Sequence, residues 1–305
     1  MPESDAPLTS PQRGRPRDEQ IVYGVKACLA LLEHRTDDVR RIYHSPALRG
    51  ELGPHLSAAA KRHLPYRELD AEALGKVAES PHHEGLVVVA VPLRYQSLTP
   101  RPAGPAALWL AVDGVENPHN LGALVRTAAF FGLTGVLAGG AAAGDKVNAA
   151  VLRVSEGGAE HVPLFAAPRL PEALAALREA GCRVLGLETD AAQTLADAVV
   201  DGLTGGSLVL VLGQEREGLS APVRRACDAL CLLVGGGPLP SLNVSVAAGV
   251  ALTQVLHGRA RPTPLAPPVP ERTARTRPPG APRPPSRERP ADRRRRMAGR
   301  PSDSR

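Results

Sequence analysis

The chain has 305 residues, of which 43% are hydrophobic, and this is enough for two domains with buried cores. No apolar run reaches the length of a membrane-spanning helix, and the polar start lacks the apolar region of a secretory signal. The four cysteines are scattered without a CxxC pair, which favours reduced thiols in a cytoplasmic protein over disulfides.

The positive charge is concentrated in the C-terminal tail. The chain carries a formal net charge of +6, whereas residues 271–305 contain 12 arginines and 4 acidic residues and so carry +8. Such a composition cannot form a core, and we predict disordered tails at residues 1–19 and 261–305. The basic tail would attract RNA phosphates without reading sequence. Arginine is common throughout this chain, so a tail without any role in binding is the alternative.

Alternating helix and strand patterns predict a small α/β domain at residues 20–95. In chain order we expect a helix at 21–34, a strand at 39–45, helices at 48–62 and 71–78, and a buried strand at 85–92. A proline-containing linker is predicted at residues 96–106.

The alternation of strands and helices restarts after the linker and predicts a second domain at residues 107–260. Apolar strands are expected at 108–113, 135–139, 182–188, 207–213 and 229–234, and helices at 121–131, 149–157, 171–180 and 243–257. Strands of nearly continuous apolar character between helices predict a parallel sheet covered on both faces. The predicted fold class is therefore α/β.

Ligands gather at the carboxyl ends of the strands in open parallel sheets, and three loops leave the predicted strands there. The first, NPHNLGALVRTAAFFG, spans residues 117–132. Asn120 is the predicted N-cap of its helix, and Arg126 lies off the apolar stripe of that helix. The missing side chain of Gly122, one turn earlier, would leave room on the face of Arg126. A solvated surface arginine is the alternative.

The other two loops are rich in glycine. In LVLGQEREGLS, Gly213 and Gly218 bracket Glu215, and glycine allows a positive φ or a close backbone approach to a ligand. In PSLNVSVAAGVAL, Ser241 and Asn243 precede a helix rich in small residues, and helix capping is their alternative role. Neither loop has the spacing of a P-loop or a dinucleotide fingerprint. His82, His83 and Glu84 have no second ligand cluster, so no metal site is predicted.

Taken together and in this order, the three loops resemble the three motifs of the SpoU, or TrmH-like, branch of the SPOUT RNA methyltransferases. The first domain is similar to the L30e-like substrate-binding module of that family, in its start IVYGVKACLALLE and its end SPHHEGLVVVAV. The resemblance implies a C-terminal trefoil knot, S-adenosylmethionine as cofactor, and a homodimer with active sites near the subunit interface.

The resemblance also implies roles for individual residues. Arg126 would act with a substrate phosphate to remove the proton of the ribose hydroxyl, or would clamp the phosphate and stabilise the alkoxide. The remaining active-site positions are Asn120, Glu215, Ser241 and Asn243, and the implied cofactor contacts are Gly213, Gly218, Leu233 and Leu242.

Two segments depart from the family pattern. Leu233, Val234 and Gly235 stand where Ile-Pro-Met is frequent, and Glu84 stands where glutamine is common in a His-Gln-Gly sequence. A carboxylate at position 84 is expected to repel phosphate.

The function that the resemblance implies is S-adenosylmethionine-dependent 2′-O-ribose methylation of RNA. The two-domain architecture favours ribosomal RNA as the substrate, as in the family members that methylate a guanosine of 23S rRNA. A tRNA 2′-O-methyltransferase and a non-catalytic RNA-binding or ribosome-assembly factor are the alternatives. RNA and a second copy of the chain are the expected partners, without membrane or metal.

Overall fold

The computed structural model describes residues 18–99, 106–140 and 144–259. The predicted tails lie outside these ranges, apart from a few residues next to the folded part, and so does most of the predicted linker. Within the described ranges, no helix is both long enough and apolar enough to cross a membrane.

The smaller sheet has four strands in the order β1-β4-β2-β3. Its strands are β1 (Gln20–Tyr23), β2 (Val39–His44), β3 (Tyr66–Glu68) and β4 (Leu86–Ala90). β4 runs antiparallel to both β1 and β2, and β2 runs parallel to β3. The helices of this part are α1 (Val25–His34), α2 (Gly53–Lys61) and α3 (Ala71–Ala78).

The predicted helix at residues 21–34 is wrong at its start, because its first residues form β1. Ile21 and Val22 are buried and pair with Val89 and Val88 of β4. Gly24 follows with φ of 95°, a left-handed conformation that turns the chain from strand to helix. A short apolar run fits a buried strand as well as a helix, so the pattern of side chains could not separate the two.

The larger sheet has eight strands in the order β10-β12-β9-β11-β6-β7-β8-β5, and the strand pairs in its described residues are all parallel. Its strands are β5 (Gln96–Ser97), β6 (Leu108–Asp113), β7 (Gly135–Gly139), β8 (Leu164–Ala167), β9 (Arg183–Leu187), β10 (Gln193–Thr194), β11 (Leu208–Gly213) and β12 (Ala229–Leu232). The predicted parallel sheet is therefore confirmed.

Helices cover both faces of the larger sheet, as predicted. They are α4 (Pro118–Phe130), α5 (Ala149–Val154), α6 (Gly158–His161), α7 (Leu170–Glu179), α8 (Leu195–Val200), α9 (Ala221–Ala226) and α10 (Val244–Gly258). Leu210 of β11 belongs to the buried cluster that includes α4 and α10, whereas Val211 belongs to the cluster that includes α7. Successive strand residues thus point into cores on opposite faces. The trefoil knot stays a prediction.

The one tryptophan of the chain is partly buried and packs against the second of these clusters. Trp109 of β6 packs against Phe165 of β8, with 5.5 Å between the ring centroids. The first cluster continues from the larger sheet into the smaller one, because it joins Val22 and Leu31 to Val151 and Ala159. The two sheets consequently share a core.

The helix of the first motif begins earlier than predicted. Asn117 is its N-cap and accepts a hydrogen bond from His119 N at 2.9 Å, and Pro118 takes the first helical position. Proline suits that position because its missing N–H has no partner there anyway. The prediction of Asn120 as N-cap is therefore wrong, and its amide is free for other contacts.

Candidate active site

Two carboxylates, at the carboxyl ends of the two strands that flank β11, hold the loop that follows β11. Asp113, at the end of β6, accepts a hydrogen bond from Ser220 N at 2.7 Å. Glu188, directly after β9, accepts one from Leu219 N at 2.7 Å. Neither residue was predicted from the sequence, although an acidic residue at the end of a buried strand could have indicated them.

Gly213 and Gly218 allow this loop to fold back on itself. A Cβ at Gly213 would overlap the carbonyl group of Gly218 and lie 2.5 Å from Leu219 N. Gly218 has φ of 66°, where a residue with a side chain is strained. The close backbone approach expected at Gly213 is therefore made by the protein's own chain, and it fixes the shape of the loop.

Three predicted catalytic residues meet at this edge of the sheet. Asn243 Nδ2 donates to Asn120 Oδ1 at 3.1 Å, and Asn120 Nδ2 donates to the Glu215 carboxylate. Asn243 is also the N-cap of α10, since its Oδ1 accepts from Ser245 N at 3.0 Å. One residue from each motif thus contributes to a single hydrogen-bonded group, which we call the motif cluster.

Arg126 lies apart from the motif cluster within one chain. It follows Asn120 by six positions on α4, about 9 Å along the helix axis. Its Nη1 forms an ion pair with Glu156 Oε1 at 3.0 Å, and 56% of the side chain is exposed. In the described part of the chain, no hydrogen bond joins Arg126 to Asn120, Glu215 or Asn243. The helix positions Arg126 as predicted, off the buried stripe, which consists of Leu121, Leu124, Val125 and Ala128.

Arg126 faces a cleft of about 600 Å³ between the two sheets. Residues of α1 and of the turn before it line this cleft together with Arg126, Arg153 and Glu156. The space predicted beside Gly122 is filled, because a Cβ there would lie 2.7 Å from Val154 Cβ and 3.1 Å from Val151 O of α5. The prediction that Gly122 opens a groove for Arg126 is therefore wrong.

Glu84 faces the same cleft and is paired. Its Oε1 accepts from Arg153 Nη2 at 2.9 Å, and its Oε2 accepts from Val25 N at the start of α1 at 3.1 Å. The carboxylate that departs from the family pattern thus joins the smaller sheet to α5. Its charge is offset by Arg153, which weakens the repulsion of phosphate that the sequence analysis expected.

The predicted cofactor contacts after β12 lie on an exposed segment. Leu233 packs partly against the core, whereas Leu242 is half exposed, and Ser241 is exposed. A Cβ added to Gly235, Gly236 or Gly237 would meet nothing within 4 Å, so this backbone stands open. Open peptide groups beside apolar side chains fit an adenosine, because its base needs hydrogen-bonding partners and an apolar surface. Asn243 of the motif cluster follows this segment directly. The segment therefore fits S-adenosylmethionine.

The cysteines take no part in this site. All four are free, and Cys28, Cys182 and Cys231 are buried. Burial and the neighbouring Asp228 raise the pKa of the partly buried Cys227 to about 12, so its thiol stays protonated at neutral pH. Among the described residues, no group of three or more His, Cys, Asp and Glu side chains is placed to hold a metal ion.

Comparisons with known proteins agree with the motifs. The model of the SpoU rRNA methylase family matches residues 107–253, and a model described as RNA 2′-O ribose methyltransferase substrate binding matches residues 21–96. The 23S rRNA (guanosine-2′-O-)-methyltransferase RlmB of Pseudomonas aeruginosa is 36% identical over 252 residues, covering 78% of this chain and 96% of that relative.

Two solved structures show the same fold. A structure described as an RNA 2′-O ribose methyltransferase has a TM-score of 0.66 at 24% identity and covers 79% of this chain and 89% of its own. An AdoMet-bound rRNA methyltransferase from Sinorhizobium meliloti has a TM-score of 0.64 at 19% identity, with coverage of 79% and 87%. With the two family models and the RlmB relative, the conclusion is that this chain belongs to the SpoU rRNA methylase family of S-adenosylmethionine-dependent RNA 2′-O-ribose methyltransferases.

Proposed function

We propose that this protein methylates the ribose 2′-hydroxyl of a guanosine in 23S ribosomal RNA. The single observation that carries the proposal is the motif cluster, because it joins all three family motifs directly beside the exposed segment of residues 233–242, which we call the cofactor segment. The substrate follows from the RlmB relative, which spans both parts of the chain. The cytoplasmic location expected from the sequence is part of this proposal.

The motif cluster positions the substrate and the cofactor. S-adenosylmethionine supplies an electrophilic methyl group, and transfer requires the ribose oxygen to lie in line with it. The amides of Asn120 and Asn243 fix each other, and Glu215 accepts from Asn120, so each side chain holds the next in place. In the proposal, Asn120 and Glu215 orient the RNA, while Ser241 and Asn243 shape the cofactor segment. Leu233 and Leu242 of that segment contact the cofactor together with Gly213 and Gly218 of the loop after β11.

The positive charge of the Arg126 side chain attracts the phosphates of RNA. A guanidinium stays protonated at neutral pH, so it is better suited to holding a phosphate than to accepting a proton. In the proposal, Arg126 binds a substrate phosphate and stabilises the alkoxide that develops as the hydroxyl gives its proton to solvent water. Its exposed side chain at the cleft leaves the guanidinium within reach of RNA.

A homodimer would complete the active site, since one chain does not bring Arg126 to the motif cluster. Apolar side chains on the cofactor segment and on two helices are exposed and support an interface: Phe130 on α4, Leu239 and Leu242 before α10, and Val246 and Val250 on α10. Exposed apolar surface of this kind marks protein interfaces. In the proposal, a second copy covers it and brings Arg126 of one subunit near the motif cluster of the other.

Ribose methylation of RNA from a deletion strain tests the function. We expect the purified protein to transfer the methyl group of S-adenosylmethionine to one guanosine of 23S rRNA from that strain, and not to rRNA from the complemented strain. Bulk tRNA serves as the second substrate. Methylation of tRNA alone would overturn the proposed substrate. A protein that binds RNA but gives no calorimetric signal with S-adenosylmethionine would be the non-catalytic factor instead.

A further inference from the structure

One carboxylate in the turn between α5 and α6 joins the two parts of the chain. Glu156 Oε2 accepts a hydrogen bond from Lys26 Nζ of α1 at 2.7 Å. The other oxygen, Oε1, pairs with Arg126 Nη1 of α4 at 3.0 Å. Lys26 belongs to the part beside the smaller sheet, and Arg126 belongs to the first motif. Glu156 therefore connects the substrate-binding part to the candidate catalytic arginine.

The backbone at this position favours glycine, yet the residue carries a side chain. Glu156 has φ of 47°, a left-handed conformation in which glycine is the default residue after a helix. A residue with a side chain is strained in this conformation. The next position, Gly157, has no room for a side chain, because a Cβ there would lie 2.7 Å from Ala30 Cβ. Glu156 has a conformational cost without such a packing reason, so the structure points to a role for its carboxylate.

The turn is also held tightly against the helix that carries Arg126. A Cβ at Gly158 would lie 3.1 Å from Arg126 Cα and 3.2 Å from Val125 O. The turn is thus enclosed by α1 on one side and α4 on the other. The side chain of Glu156 therefore links α1 to Arg126 within this packed turn.

The charge state of Glu156 suits this connection. The hydrogen bond from Lys26, together with the positive charge of Arg126, holds the pKa of Glu156 below its ordinary value. The carboxylate is therefore ionised at neutral pH. Its ion pair with Nη1 favours one orientation of the exposed Arg126 guanidinium, and it also offsets part of the charge that would attract an RNA phosphate.

We propose that Glu156 is a positioning residue for Arg126, and that it couples the binding of RNA against α1 to the orientation of the Arg126 guanidinium. The proposal rests on the role proposed above for Arg126. If so, Glu156 has opposite effects on the affinity for RNA and on the rate of turnover. With Glu156 the protein binds RNA more weakly, because a negative charge stands beside Arg126, but it turns over faster, because the guanidinium is already oriented.

Two substitutions at position 156 form a matched pair for the test. Aspartate and asparagine both tolerate the left-handed conformation and have nearly the same shape, so they differ in charge alone. We expect kcat of Glu156→Asn to fall about 10-fold, because the guanidinium loses its orienting partner, while its Kd for RNA decreases severalfold. Glu156→Asp should restore a large part of kcat. The melting temperatures of the two variants should be similar.

Glu51 provides a control for the effect of charge alone, because it lines the same cleft and is exposed. Glu51→Gln removes one negative charge without changing a contact of Arg126. We expect tighter RNA binding with unchanged kcat, in contrast to Glu156→Asn. Equal kcat values for Glu156→Asn and Glu156→Asp, or an equal loss of kcat in Glu51→Gln, would overturn the proposal.

The outcome for Arg126 separates this proposal from the proposed function. If Arg126→Ala abolishes methylation while Glu156→Asn keeps its kcat, the positioning role fails and the proposed function stands. If Arg126→Ala keeps full activity, or the unaltered protein methylates no RNA, the proposed role of Arg126 fails and the positioning role fails with it.

Discussion

The motif cluster and the cleft beside α1 hold the candidate catalytic residues in different ways. In the motif cluster, neutral amides and one carboxylate form hydrogen bonds between segments at one edge of a single sheet. In the cleft, the ion pairs Lys26–Glu156 and Arg153–Glu84 join the two parts of the chain, and the ion pair Arg126–Glu156 joins α4 to the turn after α5. Hydrogen bonds at the rigid edge of a sheet fix the relative positions of the side chains. Ion pairs between packed elements depend instead on how those elements are placed relative to one another. In the function proposed above, the motif cluster sets the line of methyl transfer, and the cleft contacts the RNA.

The largest effect is expected from removing the guanidinium. Arg126→Ala should lower methyl transfer by roughly 100-fold or more, because a group that stabilises charge in the transition state is lost. S-adenosylmethionine should still bind with its ordinary affinity in calorimetry, since the cofactor segment and the motif cluster stay intact. Unchanged turnover would show that the cleft takes no part in the chemistry.

A substitution in the loop after β11 should affect the edge of the larger sheet that holds the motif cluster, and not the cleft. The Cβ of Gly213→Ala would meet the backbone of Gly218, and overpacking of this kind costs about 1–3 kcal/mol. We expect a lower melting temperature, by about 2–4 °C for each kcal/mol, together with weaker binding of S-adenosylmethionine. Gly235→Ala is the matched control, because its Cβ would meet nothing within 4 Å. Equal melting temperatures for the two variants would contradict the assigned role of Gly213.

The smallest effect concerns acid pH and the cleft. Lys26 and Arg126 face Glu156 and lower its pKa, so the stability that this carboxylate contributes is present above its unfolded pKa and is lost as pH falls through the folded one. The difference in melting temperature between the unaltered protein and Glu156→Gln should therefore be constant from pH 6 to 8 and shrink only below about pH 4. A difference that already changes between pH 6 and 8 would point to another titrating group.

The sequence predicted the central strands better than the edges of either sheet. The apolar strands β6 and β7 have the expected bounds, because a buried parallel strand is a continuous apolar run between turns. The strands β5 and β10 have two residues each and carry no such signal. The start of the chain was predicted as a helix because β1 and α1 together form one apolar segment, in which only Gly24 marks the change.

The site was predictable where it depends on strand ends and unpredictable where it depends on packing. Asn120, Glu215 and Asn243 meet because loops at the same edge of a parallel sheet converge. The contact between Lys26 and Glu156 joins residues 130 positions apart and requires α1 to pack beside the turn after α5. No pattern within either segment indicates that contact, and so the sequence left Arg126 without its partner.

The packing of Trp109 on Phe165 has a practical consequence. Because the chain has one tryptophan, emission excited at the red edge of the indole band reports on the larger sheet alone. Tyr23, Tyr43 and Tyr66, three of the four tyrosines, lie on strands of the smaller sheet. Two optical signals from the unlabelled protein can therefore follow the loss of each sheet during denaturation, and their coincidence would show that the two sheets melt as one cooperative unit.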